Sequence, residues 1–408
     1  MKNFLRSTTT VFTFVLCSSI ILGTTILSKA MAFEQPTTLR LATFNVSMEA
    51  LNYVKRSSDS VVKVSGHELS QALQQNTQQI KNIAEIIQRV NPDIILLNEF
   101  DRIDSSHKNI HHFLNEYLAQ GQNGQSGVVY PYFYQSSVNT GVKVDGDLNR
   151  DGKTNLQPAD THGFGYFEGH FGMVLLSKYP INEKDIRTFQ HFKWHDMPNA
   201  LKPIDPSTKL PWYSDTTWQA LRLSSKSHWD IPVNVKGKTI HVLASHPTPP
   251  VFDGLEDRNG KRNHDEIRFW FDYINGEQAY YIYDDLGKQG GLAPQQAFVI
   301  LGDQNASSVE GDAINSSIQA LLSSDKIQDP MPISVGGELH SADNKNAKHH
   351  TAYWGMRADY VLPSAINFTI KDSGVFWPQK NDDCYRLIES RQASSDHRLV
   401  WVDVELAK

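Results

Sequence analysis

The stretch SSDHRLVWVDVEL, residues 394–406, sets an acid and an imidazole, Asp396 and His397, at the mouth of a run that alternates apolar and polar side chains over 399–406. That alternation is the pattern of a half-buried strand, and a carboxylate beside an imidazole suits metal and proton chemistry. Five other strand-like runs carry a compact polar group at one end. Asn45 closes LRLATFN, Glu99 closes DIILLNE, His246 closes TIHVLASH, Asp303 and Asn305 close AFVILGDQN, and Asp359 opens DYVL. One shared sheet edge accounts for all six.

Between these runs lie helical stripes. Apolar residues fall at Ile80, Ile83, Ala84, Ile87 and Val90, before Asn91-Pro92 stops the pattern and the apolar run 94–97 begins. A second stripe, Ile267, Trp270, Phe271 and Ile274, precedes the run 298–301, and further strands are predicted at 173–176, 231–235 and 240–244. Strands flanked by helices imply mixed α/β layers. The candidate residues are spread along most of the chain with no linker or repeat between them, so a single domain over 33–408 is expected. Segments 101–170 and 190–218, rich in His, Asn, Gln, Gly and in Pro, Trp, Asp, read as insertions that wall a substrate site.

Lys2 and Arg6 precede an apolar stretch, and Ala30-Met31-Ala32 offers a small-residue cleavage site, so residues 1–32 read as a signal peptide. The expected location is secreted or periplasmic, with no stable membrane insertion after cleavage. Cleavage would remove Cys17 and leave Cys384 alone, which excludes an intramolecular disulfide in the mature chain. The formal charge of −6 argues against a protein that grips nucleic acid through a broad basic face.

Two carboxylates and an amide suit a hard divalent cation that takes oxygen ligands, and Glu99, Asp396 and Asn45 meet that need. Asp303 and Asn305, two residues apart, can orient a water. Asp359 can hold His397 in one tautomer, and His246 remains as a donor to developing negative charge. Together the parts describe metal-assisted hydrolysis of a phosphate ester.

The ordered strings LATFN, IILLNEF, GMVLLSKYPI, LASHP, VILGDQN, ADYVLPS and SSDHRLV resemble the motifs of the endonuclease/exonuclease/phosphatase superfamily, the DNase I-like fold. The resemblance covers most of 39–406 and implies a four-layer α/β sandwich with two central mixed β-sheets and the site along one edge. It implies Glu99 as the main metal ligand, with Asn45 and Asp396 close to the metal or phosphate and Mg²⁺ or Mn²⁺ as the ion. It implies Asp303 as the residue that orients or deprotonates the attacking water, with Asn305 steadying the phosphate. His397, paired with Asp359, and His246 would stabilise the transition state or the leaving oxygen. The chain departs from nuclease members in lacking an evident basic face and in carrying RLSSKSHWD (222–230) and RNHDEIRFW (262–270). Arg222, Lys226, His228, Asn263, His264 and Arg268 are therefore the candidates for substrate contacts.

A separate metal signal lies in DGDLNRDG, 145–152. Counting Asp147 as position one puts Asn149 at three, Asp151 at five and Gly152 at six, the spacing of a Ca²⁺ loop. Position twelve, where a bidentate acid belongs, is Pro158, so Asp145 or Asp160 would have to substitute. The expected function is an exported metal-dependent phosphoesterase acting on a small molecule or lipid headgroup. The alternatives are a secreted DNase- or RNase-type nuclease and a calcium-stabilised binding protein without catalysis. Oligomeric state is not encoded in these patterns.

Overall fold

The structure, a computed structural model, describes Thr9 and residues 37–54, 63–103 and 105–407. The chain divides into two compact units, Met1–Gln35 and Pro36–Lys408. Apart from Thr9, the expected signal peptide lies outside the described residues. Among the described residues no helix is long and apolar enough to cross a membrane.

The larger unit is built on two sheets. Its strands are β1 (Thr37–Met48), β2 (Ile94–Phe100), β3 (Tyr132–Tyr134), β4 (Met173–Ser177), β5 (Arg187–Thr188), β6 (His228–Val235), β7 (Lys238–Ser245), β8 (Ala297–Asp303), β9 (Asp359–Pro363), β10 (Phe368–Val375) and β11 (Val400–Leu406). The first sheet has the order β10-β11-β1-β2-β4-β3 and the second β5-β6-β7-β8-β9. Each is mixed, with one parallel pair inside it: β1 with β2, and β7 with β8. A parallel pair needs a long crossover. The helices Gln78–Val90 and Arg258–Ile274 supply it in the two sheets respectively.

Both faces of the central strands are buried, which is why the runs read as continuous apolar stretches. In β8, Val299 and Leu301 join the core that contains β1, β2 and β4, whereas Phe298 and Ile300 join Ile267, Phe269 and Trp270 of the crossover helix. On the other side Ile80, Ile83 and Ile87 cover the first sheet. The result is an α/β sandwich, helix on sheet on sheet on helix. The first helix ends where the sequence stops it: Asn91 adopts the left-handed conformation at φ 53° and its N–H closes on the Ile87 carbonyl.

Parallel pairing places the C-terminal ends of β1, β2, β7 and β8 toward the same edge of their sheets. Antiparallel register brings the start of β9 to that edge, with Asp359 opposite Asp303, and the start of β11, with Val400 opposite Thr43. Gly302 allows β8 to approach β7 there: its φ is 151°, and a Cβ would sit 2.0 Å from the Ser245 carbonyl oxygen.

Candidate active site

Asp303, the last residue of β8, is buried at the centre of this edge. One carboxylate oxygen, Oδ2, receives Asn45 Nδ2 at 3.1 Å and faces His246 Nε2 at 3.3 Å and His397 Nε2 at 3.5 Å. The other accepts the Asn305 N–H at 2.9 Å. The Asn45 contact comes from the first sheet, so the carboxylate bridges the two sheets. Burial works to raise the Asp303 pKa, but the charge of His397 and the hydrogen bond from His246 outweigh it and hold the acid below the usual carboxylate range. Asn98 holds the main chain there, its side-chain oxygen accepting the Asp303 N–H at 3.2 Å.

His397 extends the chain of contacts outward. Its Nδ1 lies 2.9 Å from Asp359 Oδ2, and that oxygen also accepts Thr351 Oγ1 at 2.7 Å. Burial disfavours an imidazolium, yet Asp359 and Asp303, one on each ring nitrogen, outweigh this and raise the His397 pKa. His246 is the opposite case: burial and the nearby Lys226 cation lower its pKa below the ordinary histidine value despite Asp303. The two imidazoles therefore meet the same carboxylate in different protonation states.

Glu99, one residue before the end of β2, has a positive φ of 58°, and Asn305 follows β8 at 51°. Non-glycine residues held there store strain of about 1–3 kcal/mol each, and such strain gathers at functional sites. Among the described residues the Glu99 carboxylate makes no hydrogen bond or ion pair. Its pKa is raised by burial first and then by the carboxylates of Glu49 and Asp396, with His246 and His397 opposing. Asp396 accepts Ser47 Oγ at 3.2 Å and pairs with Arg391 at 3.1 Å. Asn45 turns its side-chain oxygen back to the Ser47 N–H at 3.2 Å and its amide to Asp303. The residues expected near a metal thus divide into a partnerless Glu99 with Asp396 beside it, and an Asn45 committed to Asp303.

Asp303, Asp359 and His397 also place donor atoms within 4.8 Å of one another. Hydrogen bonds join Thr351 to Asp359 and Asp359 to His397, and His397 faces Asp303, so the group has the form of a proton relay, with Asp359 Oδ1 buried and unpartnered among the described residues. Glu99 fits a hard cation better, because a half-buried carboxylate near other carboxylates is relieved by positive charge. None of Glu99, Asp303, Asp396 and His397 stands apart: Glu99 feels both Asp396 and His397, and His397 feels Asp303 and Asp396.

The structure separates the six candidate substrate contacts. Lys226 is buried beside Glu99, Asp303 and Glu266, and burial lowers its pKa against the pull of those acids. Arg222 is half-buried and donates to Asn139 Oδ1 at 2.7 Å, while the Asn139 N–H donates to the Lys226 carbonyl at 2.8 Å. The other four are committed to packing. His228 is buried against Phe269 and Trp270 with its nitrogens on Ser224 and the Glu266 carbonyl. Asn263 Nδ2 clamps the Thr248 and Gln304 carbonyls, both at 2.9 Å, and so fixes the loops after His246 and Asp303. His264 bonds Asp265 and Ser316, and Arg268 bonds the Pro198 carbonyl and Asp272.

The expected calcium loop closes on itself. Asp147 accepts the N–H groups of Asp151 and Gly152, Asn149 that of Asp151, and Asp151 that of Lys153. Asp145 takes the Asn155 amide, and Asp160 caps the N–H groups of Leu148 and Leu156. Arg150 then ties the turn to Asp205 at 2.7 Å and stacks on Trp212. Among the described residues no group of three acidic, His or Cys donor atoms gathers in this loop.

Several residues of the edge carried no signal at a strand end. Glu49 pairs with His170 at 3.1 Å, Ser395 Oγ donates to the Asn45 carbonyl at 2.7 Å, and Trp354 stands edge-on to His397 with ring centroids 4.8 Å apart. Glu49 lies four residues beyond Asn45, which is the one clue the sequence offered.

The model of the Endonuclease/Exonuclease/phosphatase family matches residues 42–397. The chain belongs to that family. The family includes metal-dependent phosphoesterases and nucleases. Among curated proteins none matches this chain. Among solved structures it is similar to an endonuclease/exonuclease/phosphatase from Beutenbergia cavernae (16% identity, 91% of this chain and 72% of that chain, TM-score 0.47). It is also similar to the human Nocturnin catalytic domain with bound sulfate anion (11% identity, 92% and 96%, TM-score 0.45). A third is a variant of beta toxin from Staphylococcus aureus with bound magnesium ions (12% identity, 90% and 99%, TM-score 0.41).

Proposed function

We propose that this protein is a metal-dependent phosphoesterase that hydrolyses a phosphate ester by direct attack of water, and that it is exported. The observation that carries the reading is the Asp303 carboxylate, buried and met by Asn45, His246 and His397 from both sheets, beside a Glu99 carboxylate that has no partner among the described residues. Export rests on the leader-like composition of residues 1–32.

A divalent cation, Mg²⁺ or Mn²⁺, would be held by Glu99 with Asp396 and would supply Lewis-acid neutralisation of phosphate charge. Asp303 accepts a hydrogen bond from the attacking water and aims it. An acid held below its usual range is a weak proton acceptor in the resting state, so its first contribution is orientation. His397 carries a proton between Asp303 and Asp359 and can donate it toward charge developing on phosphate or the leaving oxygen. Neutral His246 donates from Nε2, and the Lys226 ammonium adds fixed positive charge in a buried setting where it acts strongly. The acidic balance of the chain favours a small or headgroup-like substrate over polymeric nucleic acid.

The test is hydrolysis of p-nitrophenyl phosphate beside bis(p-nitrophenyl) phosphate by the purified protein, with Mg²⁺ or Mn²⁺ and again with EDTA. Release of nitrophenolate that EDTA abolishes is expected, and the preferred ester separates monoester from diester chemistry. Absence of turnover with either ester and either metal would overturn the proposal.

A further inference from the structure

An unusual set of cations leads away from the catalytic edge. Lys193 and Arg222 face each other as partners in an isolated antiparallel bridge. Like charges directly opposite destabilise such a pair, yet among the described residues neither is in an ion pair. Lys193 Nζ donates to the Ala220 carbonyl at 2.8 Å and Arg222 to the Asn139 amide oxygen. Asp285 attracts Arg222 from a distance, but its oxygens already accept Thr188 Oγ1, the Gln190 N–H and the His191 N–H.

Behind this pair stands Arg262, whose guanidinium donates to the carbonyls of Leu223, Arg222 and His162. The acid one turn on, Glu266, is committed to the N–H groups of Ser225 and Thr248, each at 2.6 Å. Lys226, nine-tenths buried, completes the set with an ammonium that has no hydrogen bond or ion pair among the described residues, and it is close enough to Arg262 to feel its charge. His162 registers the resulting field. It is buried, its Nδ1 accepts the Arg222 N–H, and burial followed by Arg222, Arg262 and Lys193 pushes its pKa down to about 3.

Four cations gathered without paired carboxylates, in a chain of net charge −6, are an anion site. The set adjoins the catalytic edge, because Asn139 bridges Arg222 to the Lys226 backbone and Ser225 Oγ, next to Lys226, donates to the His246 carbonyl at 3.3 Å, so one small molecule can reach both. We propose that Arg222 and Lys193 hold a second phosphate group of a small substrate while another of its phosphates is hydrolysed at Asp303. The inference rests on the phosphoesterase reading and narrows its substrate class to compounds carrying two or more phosphates. Lys193 and Arg222 are half-buried, with Arg262 and the buried Lys226 behind them, which suits a compact polyphosphate better than a long polyanion that needs an extended basic surface.

The test compares fructose 6-phosphate with fructose 1,6-bisphosphate as competitors of p-nitrophenyl phosphate hydrolysis, and both by titration calorimetry. The bisphosphate is expected to bind about tenfold more tightly, a ratio set by one or two charge-assisted hydrogen bonds. The K193Q/R222Q variant should bring the ratio to within about twofold of unity, and K193Q alone should reduce it in part. Equal binding of the two sugars by the parent protein, or an undiminished ratio in a double variant that melts like the parent, would overturn the proposal. Tighter binding of a short single-stranded oligonucleotide with no gain for the bisphosphate would also overturn it, in favour of a polymer. Calorimetry needs no turnover, so a protein that binds the bisphosphate selectively but hydrolyses nothing would sink the phosphoesterase reading and leave the subsite standing.

Discussion

Two acid-rich regions of this molecule look alike in sequence and differ in structure. At the sheet edge, Glu99, Asp303 and Asp359 arrive on three separate strands and Asp396 on the loop before β11, and Glu99 is left without a partner among the described residues. In the loop 145–152 the acids are neighbours in the chain, and their oxygens turn back onto backbone N–H groups a few residues away. Local spacing lets a carboxylate satisfy itself locally. Asp303 still caps the Asn305 N–H, but Glu99 has no such outlet among the described residues, so its charge remains available to a ligand.

That contrast can be broken at several points. The largest effect is expected from Asp303→Ala or His397→Ala, each lowering kcat by about 10²-fold or more. A change below threefold in either would remove that residue from the chemistry. Gly302→Ala tests the geometry that brings β7 and β8 together, since its Cβ would meet the Ser245 carbonyl at 2.0 Å. A stability loss of about 1–3 kcal/mol is expected from the urea midpoint, and an unchanged midpoint would show that the strands relax freely. Glu99→Gln should raise the Mg²⁺ concentration needed for half-maximal activity by roughly tenfold; an unshifted metal titration would move the cation elsewhere. The smallest effect belongs to the loop. Replacing Asp147 and Asp151 by Ala should lose about 1 kcal/mol, equally with and without calcium, as thermal melting would read. A melting temperature that rises with calcium only in the parent protein would establish the loop as an ion site.

The strands were legible because apolar residues must be buried and because a compact polar group at a strand end interrupts them visibly. That is why Asn45, Glu99, His246, Asp303 and Asp359 could be placed on one edge before any coordinates. Arg391 and Trp354 were not legible, since each sits in irregular backbone whose position is set only when strands more than 300 residues apart are joined, as in the Ser395 to Asn45 contact at a separation of 350. The substrate candidates show the same limit. His228 and Asn263 have the side chains of phosphate ligands, but burial between a helix and a sheet gives them backbone partners instead. Lys193 and His162 lie in segments read only as inserted walls, and nothing short of tertiary contact pairs Lys193 with Arg222.

The pairing of β1 with β11 also governs when the candidate site can assemble as the chain folds. Until residues 395–397 and β11 join the fold, β1 has an open flank, Asn45 has no Ser395 beneath it, and Asp303 lacks one of its imidazoles. Long-range strand pairing is slow to form and leaves adhesive edges while it waits. A chain that ends before Ser395 would therefore leave the site unassembled and be prone to clump, so the site is complete only when the first strand finds its last neighbour.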